Sequence, residues 1–165
     1  MNFLLDTDTC IYALKQSVAV LKHLLAQKPE DIAVSIITEA ELRAGAAKSI
    51  SAAKALRLVE NFLRPLAILE FSSSDAATYA QVRAKLERAG TPIGPLDTLI
   101  AAQAVGRRLV LASNNERQFR RVPGLHIGTG QARASTVRIL LCSRAGPSGC
   151  YLIFLMAPRH AKTHD

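Results

Sequence analysis

Short apolar runs alternate along the chain with segments whose apolar residues recur at the helical period. Runs rich in branched and apolar side chains predict strands at 3–5, 32–37, 67–71, 108–113 and 125–127. Helical periodicity predicts helices at 9–15, 17–27, 38–46, 51–63, 74–89 and 95–105. Because mostly apolar strands alternate with helices, the pattern predicts an α/β domain with a central, mostly parallel sheet flanked by helices.

Acidic residues follow the predicted strands. Asp6 comes directly after the first strand, and Glu41 lies about one helical turn after the second. Asp97 lies in the first turn of the helix that begins at Pro95. Ligands bind at the carboxyl ends of strands in open α/β sheets, so we expect these three carboxylates at one edge. Crowded carboxylates repel one another unless a cation lies among them, and Mg²⁺ or Mn²⁺ suits such oxygen ligands. The pattern therefore indicates a metal site suited to phosphoryl chemistry.

Each acid also has a purely structural interpretation. Asp8 or Thr9 is a suitable N-cap for the first helix. Thr38 and Glu41 have the spacing of a capping box, in which the glutamate bonds back to the threonine. Asp97 gains from the dipole of its helix without any chemistry. The coincidence of three acids at one predicted sheet edge nevertheless favours the metal site.

Composition and charge indicate which classes of protein are compatible with the chain. A chain of 165 residues suits one domain with a modest tail. The net charge of +8 suits a polyanionic partner such as nucleic acid, although it also suits simple solubility. The three cysteines form no disulfide framework, and no apolar run is long enough for a membrane span. We therefore expect a cytoplasmic protein without a signal peptide or a membrane association.

Four motifs in series give the chain a family resemblance. They are FLLDTDTCIY, SIITEAELRAGAAKS, GTPIGPLDTLIAAQA and LVLASNNERQFRRVPGL. In order and spacing they resemble the PIN-domain ribonuclease toxins of the VapC group, from residue 1 to about residue 128. The resemblance implies an α/β PIN fold and a Mg²⁺- or Mn²⁺-dependent endoribonuclease that cleaves structured RNA, often transfer RNA. It also implies a cognate VapB-like antitoxin and a homodimer.

The same resemblance assigns residues to the site. Asp6, Glu41 and Asp97 match the three acids that hold the metal. The fourth position of the family falls at Asn115 or Gln118, where relatives often carry an acid and this chain carries two amides. An amide adds no charge, but it can accept a hydrogen bond from a metal-bound water or orient one. We therefore include Asn115 among the predicted catalytic residues.

Several neighbouring residues receive secondary assignments. Glu39 is out of register with the motif, and Asp8 matches a position where relatives often carry Asn, which suggests a structural or phosphate-facing role. Thr7 and Ser35 are candidates to hydrogen-bond the acids. A solvated basic surface is the simpler explanation for most of the candidates for RNA contact, which are Lys48, Arg83, Lys85, Arg88, Arg107, Arg117 and Arg121.

Residues 129–165 depart from the family and form an atypical basic tail behind the predicted nuclease domain at 1–128. Relatives usually end soon after an acid-acid-Trp sequence, whereas this chain continues with IGTGQARAS. Deletion of one base from codons for Ile-Glu-Asp-Trp yields Ile-Gly-Thr-Gly, so we predict a reading-frame shift near Gly128 and a tail that is frame-shifted or disordered. The alternative is a basic extension that helps to bind RNA.

Two other functions are compatible with parts of the sequence. LLDTDTC also resembles the first motif of haloacid-dehalogenase-type phosphatases, in which Asp6 is the nucleophile and Asp8 the general acid. That family also needs a downstream lysine and a late acidic pair, and SNNER supplies neither. The second alternative is a catalytically weakened PIN fold that only binds RNA or an antitoxin. Retention of the three acids favours the nuclease.

Overall fold

A parallel five-stranded sheet forms the centre of the computed structural model, which describes residues 1–128. The strands are β1 (Phe3–Leu5), β2 (Ile32–Ser35), β3 (Ala67–Leu69), β4 (Val110–Ala112) and β5 (His126–Gly128). Their order across the sheet is β3-β2-β1-β4-β5, and every adjacent pair is parallel. The predicted α/β class with a parallel sheet is therefore confirmed. The tail predicted at 129–165 lies outside the described residues.

Seven helices connect and cover the strands within residues 1–128. They are α1 (Thr7–Leu14), α2 (Val18–Leu25), α3 (Ile36–Ala47), α4 (Ala52–Leu63), α5 (Ser73–Arg88), α6 (Pro95–Arg107) and α7 (Glu116–Phe119). A single 3-10 turn, Pro29–Asp31, leads into β2. None of the helices in this part of the chain has the length and apolar character needed to cross a membrane.

The core has two halves, one on each face of the sheet. Leu5 and Val34 face a cluster that includes Phe62 and Leu63 of α4. Neighbouring strand residues point to opposite faces, so Leu4 belongs instead to the cluster formed with α5 and α6. Because helices cover both faces of the sheet, the strands are apolar throughout. Packing on both faces holds the residues at the sheet edge in position.

Several predicted element boundaries differ from the structure by one or two residues, and two of these differences, at the ends of β1 and β2, have the same cause. The second strand was expected to reach residue 37, but it ends at Ser35, whose hydroxyl accepts a hydrogen bond from the Ile37 amide and caps α3. The first helix was expected to begin at residue 9, but it begins at Thr7 because Asp6 is its N-cap. In each case a polar residue at the end of the strand or directly after it is the N-cap of the next helix.

The strand register aligns the carboxyl ends of the three central strands. Leu5 pairs with Val34 of β2 and with Ala112 of β4. The residues that follow these partners, Ser35 and Ser113, therefore lie at the same edge as Asp6. This edge is where the sequence predicted the acids to meet.

Candidate metal-binding active site

The Asp6 side chain is fixed at the end of β1 by two hydrogen bonds. Its Oδ1 accepts from the Thr9 backbone amide at 2.7 Å, and its Oδ2 accepts from the Ser113 hydroxyl. The side chain is buried, with 3% of its surface exposed. Burial raises the pKa of Asp6 above its ordinary value; the bonds from Ser113 and Thr9 oppose that rise and the nearby charge of Asp8 adds to it. Asp6 is thus a buried, oriented carboxylate that would gain from a nearby cation.

Glu41 belongs to the same edge through a contact with α1. The Thr7 hydroxyl donates to Glu41 Oε2 at 2.5 Å. The capping-box interpretation of Glu41 is wrong, since Thr38 lies inside α3 and its buried Oγ1 has no hydrogen-bond partner among the described residues. Of the two residues expected to hydrogen-bond the acids, Thr7 does so, whereas the Ser35 hydroxyl caps α3.

Asp97 is the third residue of α6 and lies in the first turn, which begins at Pro95. Gln118 Nε2 donates to Asp97 Oδ2 at 2.5 Å. The carboxylate therefore points across to the segment after β4 rather than folding back to cap its own helix. The helix-dipole interpretation remains compatible with this position, but it does not account for the contact with Gln118.

The acids are close enough to influence one another electrostatically. The pKa of Asp97 is raised, first by burial and then by the charges of Glu41, Asp6 and Asp8, against the opposing hydrogen bond from Gln118. Four carboxylates therefore contribute to the negative potential at this edge, and a cation bound there would relieve it.

Asn115 and Gln118, the two amides at the fourth family position, lie beside these acids. Asn115 is the N-cap residue of α7, but its side chain makes no capping bond. Its Nδ2 donates to Gln118 Oε1 at 2.6 Å, and its backbone amide donates to Ser113 Oγ at 2.9 Å. The structure thus brings all four predicted catalytic residues, Asp6, Glu41, Asp97 and Asn115, to one edge of the sheet.

The side chains suit a divalent ion bound partly through water. Among residues 1–128 no three His, Cys, Asp or Glu side chains are arranged to bind one ion directly. Each of the three predicted ligands accepts a hydrogen bond from a neutral side chain: Ser113 for Asp6, Thr7 for Glu41 and Gln118 for Asp97. Mg²⁺ commonly keeps several waters and takes only one or two carboxylates, so this all-oxygen set fits a hydrated ion.

The other acids predicted near the site have different roles. Glu39 forms an ion pair with Arg43 at 2.7 Å, which agrees with its position out of register. Asp8 is exposed in the first turn of α1 and does not cap it, so the alternative of an Asp8 or Thr9 cap is wrong. Thr9 instead supplies the amide that binds Asp6 and a hydroxyl that donates to the Ala112 carbonyl.

Two of the basic residues predicted to contact RNA are engaged within the protein. Arg107 binds Asp75 through two nitrogens and also donates to the Glu70 carbonyl. Arg83 pairs with Glu87 and donates to the Tyr79 hydroxyl. Within residues 1–128 the remaining candidates form no ion pair; they are Lys48, Lys85, Arg88, Arg117 and Arg121.

The acidic edge is distinct from an apolar pocket elsewhere in the domain. That pocket has a volume of about 100 Å³ and lies between α1, α2 and α4, where Leu14, Leu24 and Phe62 line it. None of the four predicted catalytic residues lines it. The apolar pocket and the acidic edge therefore lie on different surfaces of the domain.

Ser113 is the residue of this site whose role the sequence did not predict. It is fully buried, and its single hydroxyl both donates to Asp6 and accepts from the Asn115 amide. A serine directly after β4, at the edge already assigned to Asp6, was the available signal. Only the register of β1 with β4 shows that the two residues are neighbours.

Comparison with known proteins gives the same family throughout. The family model described as PIN domain matches residues 3–125. The chain is 39% identical over 127 residues to the tRNA(fMet)-specific endonuclease VapC of Salmonella typhimurium, covering 77% of this chain and 96% of the relative. It is 35% identical over 125 residues to the protein of the same name from Shigella flexneri, covering 76% and 95%.

A solved structure agrees with these sequence matches. The crystal structure of DNA-bound VapBC from Salmonella typhimurium contains a chain that matches with a TM-score of 0.76 at 38% identity, covering 79% of this chain and 98% of that one. The matches give no support to the haloacid-dehalogenase alternative. The chain therefore belongs to the PIN-domain family, in its VapC group of ribonuclease toxins.

Proposed function

We propose that this protein is a Mg²⁺- or Mn²⁺-dependent endoribonuclease, the toxin of a toxin–antitoxin pair, acting in the cytoplasm. The observation that carries the proposal is the convergence of Asp6, Glu41 and Asp97 at one sheet edge. The pKa of Asp97, which is raised first by burial and then by the charges of Glu41, Asp6 and Asp8, supports it, because a site that concentrates negative charge is suited to a cation.

Asp6, Glu41 and Asp97 are the residues that would hold the ion. When bound, the ion supplies positive charge beside the scissile phosphate and favours formation of a nucleophile from water. The hydrogen bonds from Ser113 and Thr7 keep the Asp6 and Glu41 carboxylates oriented before any ion arrives. The Nδ2 of Asn115 is committed to Gln118, so its Oδ1 is the atom that would accept a hydrogen bond from the attacking water.

Structured RNA, and transfer RNA in particular, is the substrate that we propose. Two relatives, at 39% and 35% identity, are named as tRNA(fMet)-specific endonucleases. Arg117 and Arg121 are exposed on and just beyond α7, the helix that carries Gln118. Cations at that position are suited to RNA phosphates that flank the acidic edge, and they would offset its repulsion of the substrate.

A VapB-like antitoxin is the proposed partner. The solved VapBC structure supports it, as does the apolar surface between α1, α2 and α4. Leu58 lines the pocket there and is 54% exposed, and Tyr12, Val18 and Leu25 are exposed on the neighbouring helices. Exposed apolar patches are typical of protein interaction sites. A homodimer is proposed from the family resemblance alone.

Growth after induced expression tests the proposed function. We expect the wild-type protein to arrest growth and to produce discrete RNA fragments on a gel. Asp6→Asn is the matched control, because an asparagine can still cap α1 and preserve the fold while it removes the charge. Arrest by both proteins, or intact RNA with soluble wild-type protein, would contradict the proposal.

One observation favours a second candidate, a PIN fold that binds RNA without cleaving it. Asn115 and Gln118 lie beside the acids and supply no charge to bind a cation. The same experiment separates the two functions: intact RNA in cells that contain soluble wild-type protein is the outcome expected of a binding module.

A further inference from the structure

We infer that Gln118 is a positioning residue that holds the Asp97 carboxylate in place by a neutral hydrogen bond before a cation binds. The inference deepens the proposed function and rests on it for the identity of the site. The role follows from contacts made by the amide and from the space that surrounds them.

The orientation of the Gln118 amide is determined by its two neighbours. Its Nε2 is 2.5 Å from Asp97 Oδ2, and its Oε1 is 2.6 Å from Asn115 Nδ2. A flipped amide would place its oxygen against the carboxylate and its nitrogen against the Asn115 nitrogen, and neither contact is a hydrogen bond. Gln118 therefore donates to Asp97 in the only orientation that satisfies both contacts.

These contacts continue to the other side of the site. Asn115 donates to Gln118 through its side chain and to Ser113 through its backbone amide, and Ser113 donates to Asp6. Asp97 and Asp6 are thus joined by a continuous series of hydrogen bonds that contains no charged donor. Such a series fixes both carboxylates without the desolvation cost of a buried ion pair.

Gly94 leaves the space that this arrangement needs. A Cβ at this position would lie 2.7 Å from Asp97 Oδ2 and 3.7 Å from Gln118 Nε2. The first distance is too short for any side chain, so a residue larger than glycine would displace the Asp97 carboxylate or break its contact with Gln118. The Gly94 backbone and the Gln118 amide therefore constrain Asp97 Oδ2 from two sides.

A carboxylate at residue 118 would behave differently from the amide. Two unprotonated carboxylates at hydrogen-bond distance repel each other, so the contact with Asp97 would require a shared cation. The amide allows the site to be ordered without the ion, while a glutamate would make order depend on it. This difference is measurable in protein from which metal has been removed.

Four variants test the inference, of which Asp97→Asn is used only for the amide signal. Gln118→Met removes both hydrogen bonds at similar length and without charge, and Gln118→Glu adds a negative charge at the contact. Asn114→Asp is the matched control, because it adds the same charge on an exposed neighbour. The measurements are the melting temperature of metal-free protein, the Kd for Mn²⁺ by electron paramagnetic resonance, and the side-chain amide signal of Gln118 in the ¹H–¹⁵N spectrum.

Gln118→Met is expected to lower the metal-free melting temperature by about 2–4 °C. It should also weaken Mn²⁺ binding by about tenfold, because Asp97 is no longer held. Gln118→Glu should lower the metal-free melting temperature further and show a larger stabilisation by Mn²⁺ than the wild type, whereas Asn114→Asp should match the wild type. The Gln118 amide signal should shift in Asp97→Asn.

Wild-type Mn²⁺ affinity in Gln118→Met, together with an amide signal that does not move in Asp97→Asn, would overturn the inference. Equal behaviour of Gln118→Glu and Asn114→Asp would also overturn it, since a general charge effect would then suffice. Failure of the wild-type protein to bind Mn²⁺ would instead contradict the proposed nuclease. The metal-free melting temperature and the amide signal would still decide the role of Gln118.

Discussion

Thr7 donates a hydrogen bond to Glu41, and this 2.5 Å contact joins the first turn of α1 to α3 at the carboxyl edge of the sheet. The two residues are 34 positions apart, and each follows a different strand. The bond explains why a glutamate on the side of α3 points to the site instead of back to its own N-terminus. It also leads to a direct test of whether this orientation matters.

Thr7→Val should lower the rate of RNA cleavage by about tenfold, because the isosteric side chain no longer holds the Glu41 carboxylate. The free energy of unfolding should fall by only ~1 kcal/mol, the usual contribution of one hydrogen bond. Thr7→Ser keeps the hydroxyl and serves as the control. Equal cleavage rates for wild type, Thr7→Val and Thr7→Ser would show that Glu41 needs no such support.

Asp97→Asn should stabilise the metal-free protein at neutral pH. Its raised pKa means that the ionised carboxylate is disfavoured in the folded state. Stability should therefore rise as the pH falls from the raised pKa of Asp97 toward its ordinary value of about 3.9, and the full cost should apply at pH 7. We expect a gain of ~1 kcal/mol, or about 2–4 °C in melting temperature.

The pH dependence supplies the control for this prediction. The advantage of Asp97→Asn should shrink in acid, where the wild-type carboxylate is protonated, and Mg²⁺ should stabilise the wild type more than the variant. Thermal unfolding at several pH values measures both effects. A variant that is less stable than wild type at pH 7 would contradict the cost assigned to burying the ionised Asp97 carboxylate beside the other acids.

Arg107→Met should destabilise the domain strongly, because Arg107 joins α6 to α5 and to the end of β3. Its guanidinium binds buried Asp75 through two nitrogens and donates to the Glu70 carbonyl at 2.6 Å. Loss of one partner of a buried pair leaves an uncompensated charge. Since Arg107 is 31% exposed, we expect a cost of about 2–3 kcal/mol.

The same ion pair predicts a response to acid. Arg107, together with hydrogen bonds from Ser72, holds the pKa of Asp75 well below its usual range. The stability contributed by the pair is present above the ordinary pKa of about 3.9 and is lost as the pH falls below it. Arg107→Met should lose less stability over that range than wild type. Arg83→Ala, which breaks an exposed pair, should change little at any pH.

Removal of Arg117 and Arg121 should weaken RNA binding without altering the fold. Binding is best measured in the Asp6→Asn background, where cleavage does not interfere. Replacement of both arginines by alanine should reduce the slope of log Kd against log salt concentration by about 2, or about 1 for each phosphate contact. Arg83→Ala is the control, and an equal effect from it would indicate only a general dependence on net charge.

The sequence was sufficient for the fold class and for the edge at which the acids meet. Apolar strands alternating with helices imply a parallel sheet, and a parallel sheet brings the strand ends together. Asp6 and Asp97 could be assigned to that edge because each lies within a turn of a strand end or a helix start. The resemblance of four motifs added the family, whereas the metal site stays a prediction from the three carboxylates.

The sequence was misleading where one residue serves two elements. Ser35 lies in a run of β-branched residues, which predicts that the strand continues beyond it. In the structure the strand ends at Ser35, whose hydroxyl caps α3. The capping-box spacing of Thr38 and Glu41 was an equally local signal. It gave the wrong partner because the helix had already begun at Ile36.

The contacts of Ser113 and Gln118 could not be predicted from the residues next to them in the sequence. Ser113 meets Asp6 across 107 residues of chain, and Gln118 meets Asp97 across 21. Spacing along the chain carries no information about such pairs. They become visible only when strand register and helix packing place their side chains together.

The most direct measurement of the central claim is cleavage of purified transfer RNA by purified protein, with Mg²⁺ and with EDTA, for wild type and Asp97→Asn. If the three carboxylates form a metal-dependent nuclease site, only the wild-type protein with Mg²⁺ should give discrete fragments. Cleavage that persists in EDTA, or that Asp97→Asn performs at the wild-type rate, would contradict the account.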